Sequence, residues 1–321
     1  MTNFQVYRKV LSFSLLMFVL DLFSFALFIG SCTLGFVIGM NVSNDGVAAL
    51  LGLFVGLMLG IIITSLINIF VRNRIKAAQI AIMVKGVTEG QLPERAFKEG
   101  FNEIKGRFGR ITAFFFITNA IKGIFRQIGR TVNRVGTALG GQAGDTVTSV
   151  IDSAVQTLIA YLCDCCLGWI LYRKEVNAAK AGCEGAVIFF KHGKTLIRNI
   201  GRIFGMSILS FLVIGGAFTG IGYLILSNLP QATKAISDAI IAAGGDVPEF
   251  VYSTTTLSLV ISLVGAIVLW SMFHSMLVKP FILVGVMRNF MTAGIANMPS
   301  ESDFAMLDSR SSRFAKLHNS I

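Results

Sequence analysis

From Val47 to Val71 the chain carries no charged residue, and the same holds from Ile203 to Leu226. A bilayer core about 30 Å thick is crossed by roughly 20 apolar residues in a helix, which satisfies every backbone N–H and C=O within the segment. Two further runs meet the test. Val10 to Met40 is interrupted only by Asp21, and Phe250 to Val278 has His274 as its one ionisable group. These four runs constrain the chain more than any other feature. They predict an all-α fold, a polytopic transmembrane helical bundle. Composition agrees: of 321 residues 54% are apolar and only 14% charged, well below the roughly 25% charge of a soluble domain.

The first run is too long for the apolar core of a secretory signal and leads at once into a second span, so it reads as a retained helix. Ile29-Gly30-Ser31-Cys32 has the form of a lipoprotein cleavage box, yet apolar sequence continues through Thr33 to Val37 and argues against processing there. The net charge of +11 lies in blocks between the apolar runs. That pattern excludes nucleic acid as a partner and points to the lipid bilayer and its anionic head groups.

The blocks also orient the chain. Residues 72 to 110 hold nine Lys/Arg against four Glu, and residues 173 to 202 hold seven against two. Both read as cytoplasmic. The stretch 41 to 46 has one acid and no base, and 227 to 249 has Lys234 against Asp238, Asp246 and Glu249, so both face the other side. The predicted order is a transmembrane hairpin (1–71), a basic amphipathic segment (72–110), a helical hairpin (111–172), a second basic segment (173–202), a C-terminal transmembrane hairpin with a following helix (203–298) and a tail (299–321). Both termini are expected in the cytoplasm.

Parity leaves 111–172 open, because a link between two cytoplasmic blocks crosses either twice or not at all. Lys122, Arg126, Arg130 and Arg134 are spaced by four and form one basic helical stripe; Asp145, Asp152 and Gln156, at spacings of seven and four, form a weaker acidic one. Either the pair lies at the interface with its charged faces solvated, or it spans with the stripe toward a polar cavity. The bundle therefore has four membrane helices and up to six. Arg72-Asn-Arg-Ile-Lys-Ala-Ala-Gln and Arg173-Lys-Glu-Val-Asn-Ala-Ala-Lys resemble each other, as do Arg107-Phe-Gly-Arg-Ile and Asn199-Ile-Gly-Arg-Ile. Internal duplication, a plan common in transporters, and shared basic amphipathic composition both explain the echo.

Gly52, Gly56 and Gly60 recur every four residues, as do Gly35 with Gly39 and Gly216 with Gly220. Such faces let helices approach closely in lipid, within one chain or between copies in a homo-oligomer. Asp21 is the sharpest single residue, because a carboxylate within a span needs a cavity or a partner. Phe18, Phe25 and Phe28 lie near it at helical spacing, and aromatic faces beside an acid suit a cationic solute. Asn68, Asp152, Gln156 and His274 are further candidates for a solute site. No phosphate-binding glycine loop occurs, and His192, His274 and His318 stand at no metal-ligand spacing, so neither an enzyme nor a cofactor is expected. Asn41-Val42-Ser43 is a glycosylation triplet set tight against the membrane.

Cys163, Cys165 and Cys166 crowd the end of the run that closes at Tyr172, with Asp164 among them. On a helix Cys163 and Cys166 share a face and Cys165 points away, so three metal ligands do not converge. Packing, reversible oxidation or acylation of an inner-leaflet thiol remain. Asp164 is placed to pair with Arg173 or Lys174 through a bend or a neighbouring helix.

From Cys163-Asp-Cys-Cys-Leu-Gly-Trp the order continues through Ala-Gly-Cys183, Leu196-Ile-Arg-Asn-Ile-Gly-Arg, an uncharged span, an outer loop, and a last span running through Ser271-Met-Phe-His-Ser-Met to Met287-Arg-Asn-Phe. This resembles the C-terminal half of the choline transporter-like solute carriers over some 140 residues. The chain is about half that family's usual length, lacks its large outer loop, and has Lys279-Pro280 in place of an acidic final-span region. The resemblance implies a polytopic solute-carrier-like fold without choline specificity. Two functions follow: a secondary transporter or permease for a small, cationic solute, or an oligomeric scaffold or pore held by glycine contacts.

Overall fold

The computed structural model describes residues 1–42, 46–137, 145–197, 200–242 and 248–320, without side chains through 128–155 and 193–204 and at a few other positions, Arg126 among them. The described elements are all helical: α1 (Asn3–Val42), α2 (Gly46–Ile67), α3 (Asn73–Thr88), α4 (Ala96–Ile104), α5 (Phe108–Thr137), α6 (Asp145–Tyr172) and α7 (Ala178–Ile197), then α8 (Ile200–Ser210), α9 (Gly216–Ser227), α10 (Pro230–Ala242), α11 (Thr254–Phe273), α12 (Lys279–Ala296), α13 (Glu301–Arg310) and α14 (Ser312–His318). A 3₁₀ turn, Glu249–Val251, precedes α11. Single π-helical turns at Asn68–Arg72, Phe211–Gly215 and His274–Val278 make continuous rods of α2 with α3, α8 with α9, and α11 with α12. The last follows from sequence: Pro280 has no N–H to return to the preceding turn, and the ladder loosens just before it.

Among the described residues four helical stretches are long and apolar enough to cross a membrane: Asn3–Val42, Val47–Thr88, Gly205–Ser227 and Thr254–Ala296. The apolar part of α6, Gln156–Tyr172, is shorter. The chain is an all-α membrane protein.

Its contacts define two units, Met1–Ile200 with Pro280–Ile321, and Gly201–Lys279. In the first, α1 and α2 form an antiparallel hairpin. A methyl group built on Gly52 would lie 2.1 Å from the carbonyl oxygen of Gly35, and one on Gly35 would lie 2.2 Å from that of Gly52. Gly56 meets the Ser31 carbonyl in the same way at 2.3 Å, and Gly60 the Ser31 hydroxyl at 2.5 Å. At Gly35, Gly52 and Gly56 backbone touches backbone, and no residue with a Cβ fits. The outer faces carry Leu34, Ile38, Leu50 and Phe54, each more than 60% exposed. So much open apolar surface belongs in lipid.

The rest of this unit is a helical body built around α6. Tyr161, Leu162, Cys165, Cys166, Leu167 and Trp169 are all 1% exposed or less. A helix apolar on every side needs lipid or protein all round it, and here α3, α5 and α7 supply protein. From α12, Gly294 receives the Trp169 ring and Met287 lies over Gly168. The N-terminal part of α1 joins the body through buried Val6, Val10 and Phe13. Gly90 and Gly106, at φ +70° and +83°, stop α3 and α4 in the left-handed conformation that glycine adopts without strain.

The second unit pairs α9 with α11, Gly222 resting against Ser262. Thr233 of α10 and Ser258 of α11 share a hydrogen bond at 3.2 Å, and Ser237 Oγ donates to the Val251 carbonyl at 2.8 Å. Leu209, Leu212, Val213 and Leu224 face outward.

Candidate functional site

Residues at i, i+4 and i+7 share a helix face, and the α2–α3 rod sets Arg72, Lys76 and Gln79 so. Each finds its own partner. Arg72 Nη1 donates to Asp21 Oδ1 of α1 at 2.8 Å, the two side chains being 36% and 23% exposed. Lys76 Nζ lies 2.5 Å from Asp164 Oδ1 of α6, whose side chain is only 6% exposed. Gln79 Nε2 donates to Ser14 Oγ at 2.7 Å and to the Val10 carbonyl at 3.3 Å, back on α1. Ser14 and Asp21 are themselves seven residues apart. Three polar rungs thus fasten α1, α3 and α6 together in an apolar setting. Each carboxylate there needs its cation, because removing a lone charge from water costs several kcal/mol.

The π turn at Asn68–Arg72 ends on the arginine of the first rung. One inserted residue per turn rotates everything beyond it relative to α2, which aims Arg72 at α1 while α2 keeps its glycines there. Such turns recur at functional positions.

Asp164 therefore does not pair with Arg173 or Lys174. Arg173 stands nine positions on, just past the end of α6 and roughly 13 Å along its axis from Asp164. Arg173 bonds instead to Glu184 of α7, its Nε 3.1 Å from Oε2, and the same oxygen accepts the Trp169 indole N–H at 2.7 Å. The thiols beside Asp164 lie in the core. Burial pushes Cys163 and Cys183 up to about 12 and Cys165 and Cys166 well above the usual thiol range. They are enclosed by protein, which removes the ground for surface oxidation or acylation. Among the described residues no three His, Cys, Asp or Glu side chains are grouped to hold a metal.

Asn68 opens the π turn and is exposed, as is Gln156 on α6. The side chain of Asp152 lies outside the described residues, with those of Arg126, Arg130, Arg134 and Asp145; Ser43 and Asn199 are outside them too. His274 opens the π turn of the second unit, its Nε2 3.0 Å from Ser207 Oγ and its ring 5.1 Å from Trp270. Trp270 Nε1 in turn donates to Ser210 Oγ at 3.2 Å. Gly52, Gly56 and Gly60 all face α1, whereas a methyl on Gly216 or Gly220 would meet nothing within 4 Å.

Arg72 and Lys76 are the partners of Asp21 and Asp164 that a charge count passes over, because it treats them only as an orientation signal. Their spacing with Gln79 was the available clue. The fold defines an all-helical integral membrane protein with four stretches long and apolar enough to cross a membrane. The chain matches no protein-family model, no curated protein and no solved structure.

Proposed function

We propose that this membrane protein is a secondary transporter or permease for a small cationic solute, with Asp21 as the solute's counter-ion and Arg72 as the tethered cation that the solute displaces. The observation that carries the reading is the 2.8 Å Asp21–Arg72 pair set on a π turn. From Leu22 to Val42 and from Val47 to Val71 the hairpin is uncharged, long enough to cross the bilayer core. The pair then sits at the inner edge of the membrane, where the basic blocks orient the chain with both termini in the cytoplasm. A carboxylate there is neutralised by Arg72 when the site is empty, and a solute ammonium can take over that role without leaving a bare charge in either state. Helix irregularities of this kind recur at functional positions, and the resemblance to choline transporter-like solute carriers points the same way.

A second reading, an oligomeric scaffold, is favoured by one observation. The open face at Gly216 and Gly220 would accept a helix from another copy. Uptake of tetramethylammonium into proteoliposomes separates the two. The transporter reading expects saturable uptake, lost at least tenfold in Asp21→Asn and retained with a lower KM in Arg72→Gln, where the internal competitor is gone. Uptake indifferent to Asp21→Asn refutes the site. A large ring in detergent, with no uptake, supports the scaffold.

A further inference from the structure

Between α3, the end of α4 with Arg107 just after it, and the end of α6 the helical body opens a cleft of about 230 Å³, remote in sequence from Asp21 and unconnected with its proposed role. Its floor is apolar, formed by Ala81, Val84 and Leu171, each 6 to 8% exposed. Its walls carry both signs of charge: Lys85, Arg107 and Lys174 against Glu89 and Glu103.

The contacts among these charges are long. Lys85 Nζ lies 3.8 Å from Glu103 and 3.6 Å from Glu99, and Arg107 is 3.6 Å from Glu103 and 3.4 Å from the Leu171 carbonyl. Elsewhere in the body ionic partners meet at 2.5 to 3.1 Å. A charge-assisted hydrogen bond closes to about 2.7–2.9 Å, so the cleft holds both its cations and its acids short of full engagement. The neighbouring Arg110 is spent on carbonyls at the end of α6, including that of Arg173 at 2.8 Å. Burial, and then the like charge of Arg107, push Arg110 down from its ordinary value.

We propose that this cleft binds a small zwitterion of aliphatic amino-acid type, its carboxylate between Arg107 and Lys174, its ammonium toward Glu89 and Glu103, and its side chain on the Ala81–Val84–Leu171 floor. Charge balance selects the class. A simple anion would lie against two glutamates and a simple cation against three bases, whereas a molecule with both ends meets an opposite charge at each. Size agrees: at about 30 Å³ per water-sized group the cleft holds roughly eight, the scale of a small amino acid.

Calorimetric titration of the full chain in detergent tests this with L-valine, isovalerate, which lacks the ammonium, and isobutylamine, which lacks the carboxylate. Saturable valine binding is expected, with each half-molecule weaker by at least about tenfold because one pair of walls goes unmet. Lys174→Ala and Glu89→Gln, both at exposed positions where folding is not at stake, weaken valine about tenfold. Lys180→Ala, an exposed cation outside the cleft, changes nothing. Absence of saturable valine binding, equal binding of isovalerate, or wild-type affinity in Lys174→Ala overturns the proposal.

Discussion

Replacing Gly52 by alanine sets two known effects against each other. In an exposed helix the change stabilises by about 1 kcal/mol, because glycine has more backbone freedom to lose. Here the new methyl arrives 2.1 Å from the Gly35 carbonyl oxygen, with Gly39 Cα at 2.9 Å, where ordinary contact begins near 3.4 Å. Both neighbours are backbone, so no side chain can turn aside, and α1 and α2 must part by about 1.3 Å along the whole glycine face. Gly56 against Ser31 and Gly39 against Ala48 open with it. Overpacking of this kind costs about 1–3 kcal/mol, which offsets the propensity gain and leaves a net loss of up to about 2 kcal/mol. Unfolding in mixed micelles, followed by the loss of hairpin contact between labels on the two helices, measures it. Gly30→Ala is the internal control: a methyl there meets nothing within 4 Å, so it should be neutral or stabilising. The double variant Gly35→Ala/Gly52→Ala should cost less than the two singles together, since one separation relieves both clashes. A Gly52→Ala protein as stable as Gly30→Ala would refute the reasoning.

Two further outcomes concern the body. Lys76→Met leaves the 6% exposed Asp164 without its cation and should destabilise by about 3 kcal/mol, the low end for a buried pair because Lys76 is itself 28% exposed. Lys76→Met/Asp164→Leu should recover to within about 1 kcal/mol of the parent in thermal melts, and a single variant that melts with the parent would sink the assignment. Asp303 accepts from the Ser300 N–H at 2.9 Å, from Lys191 at 2.9 Å and from the Ser300 hydroxyl at 2.8 Å, which hold its carboxyl down at about 2. A depressed folded value gives stability that is complete above the unfolded carboxyl near 3.9 and fades as pH falls toward about 2. Hydrogen exchange in α13 should therefore be slower in the parent than in Asp303→Asn at pH 5, and the gap should close on acidification. A gap that persists at the acid end contradicts the assignment.

The two ionic rungs show why partners were not legible in the chain. Asp21 stands out in an apolar run, and its need for a partner follows from charge alone. That the partner is Arg72 depends on a π turn, which a run of ordinary residues such as Asn68-Ile-Phe-Val does not announce. Asp164 had two cations close in sequence, yet the rise of α6 carries Arg173 past its end to Glu184, and α3 brings Lys76 in instead.

What the sequence alone determined is the all-helical class, the four stretches that need lipid or its equivalent, and the helix faces bare of side chains at Gly52, Gly56 and Gly60. These are local matters of length, charge and side-chain volume. Only the tertiary structure decided that α6 is wrapped by protein, that its thiols are core, that the Gly52 face is used within the chain, and which acid meets which base. An apolar helix is equally content in lipid or in a protein core, and a lone charge accepts any opposite charge that geometry brings near. The choice is made by the neighbours, and the neighbours are distant in sequence.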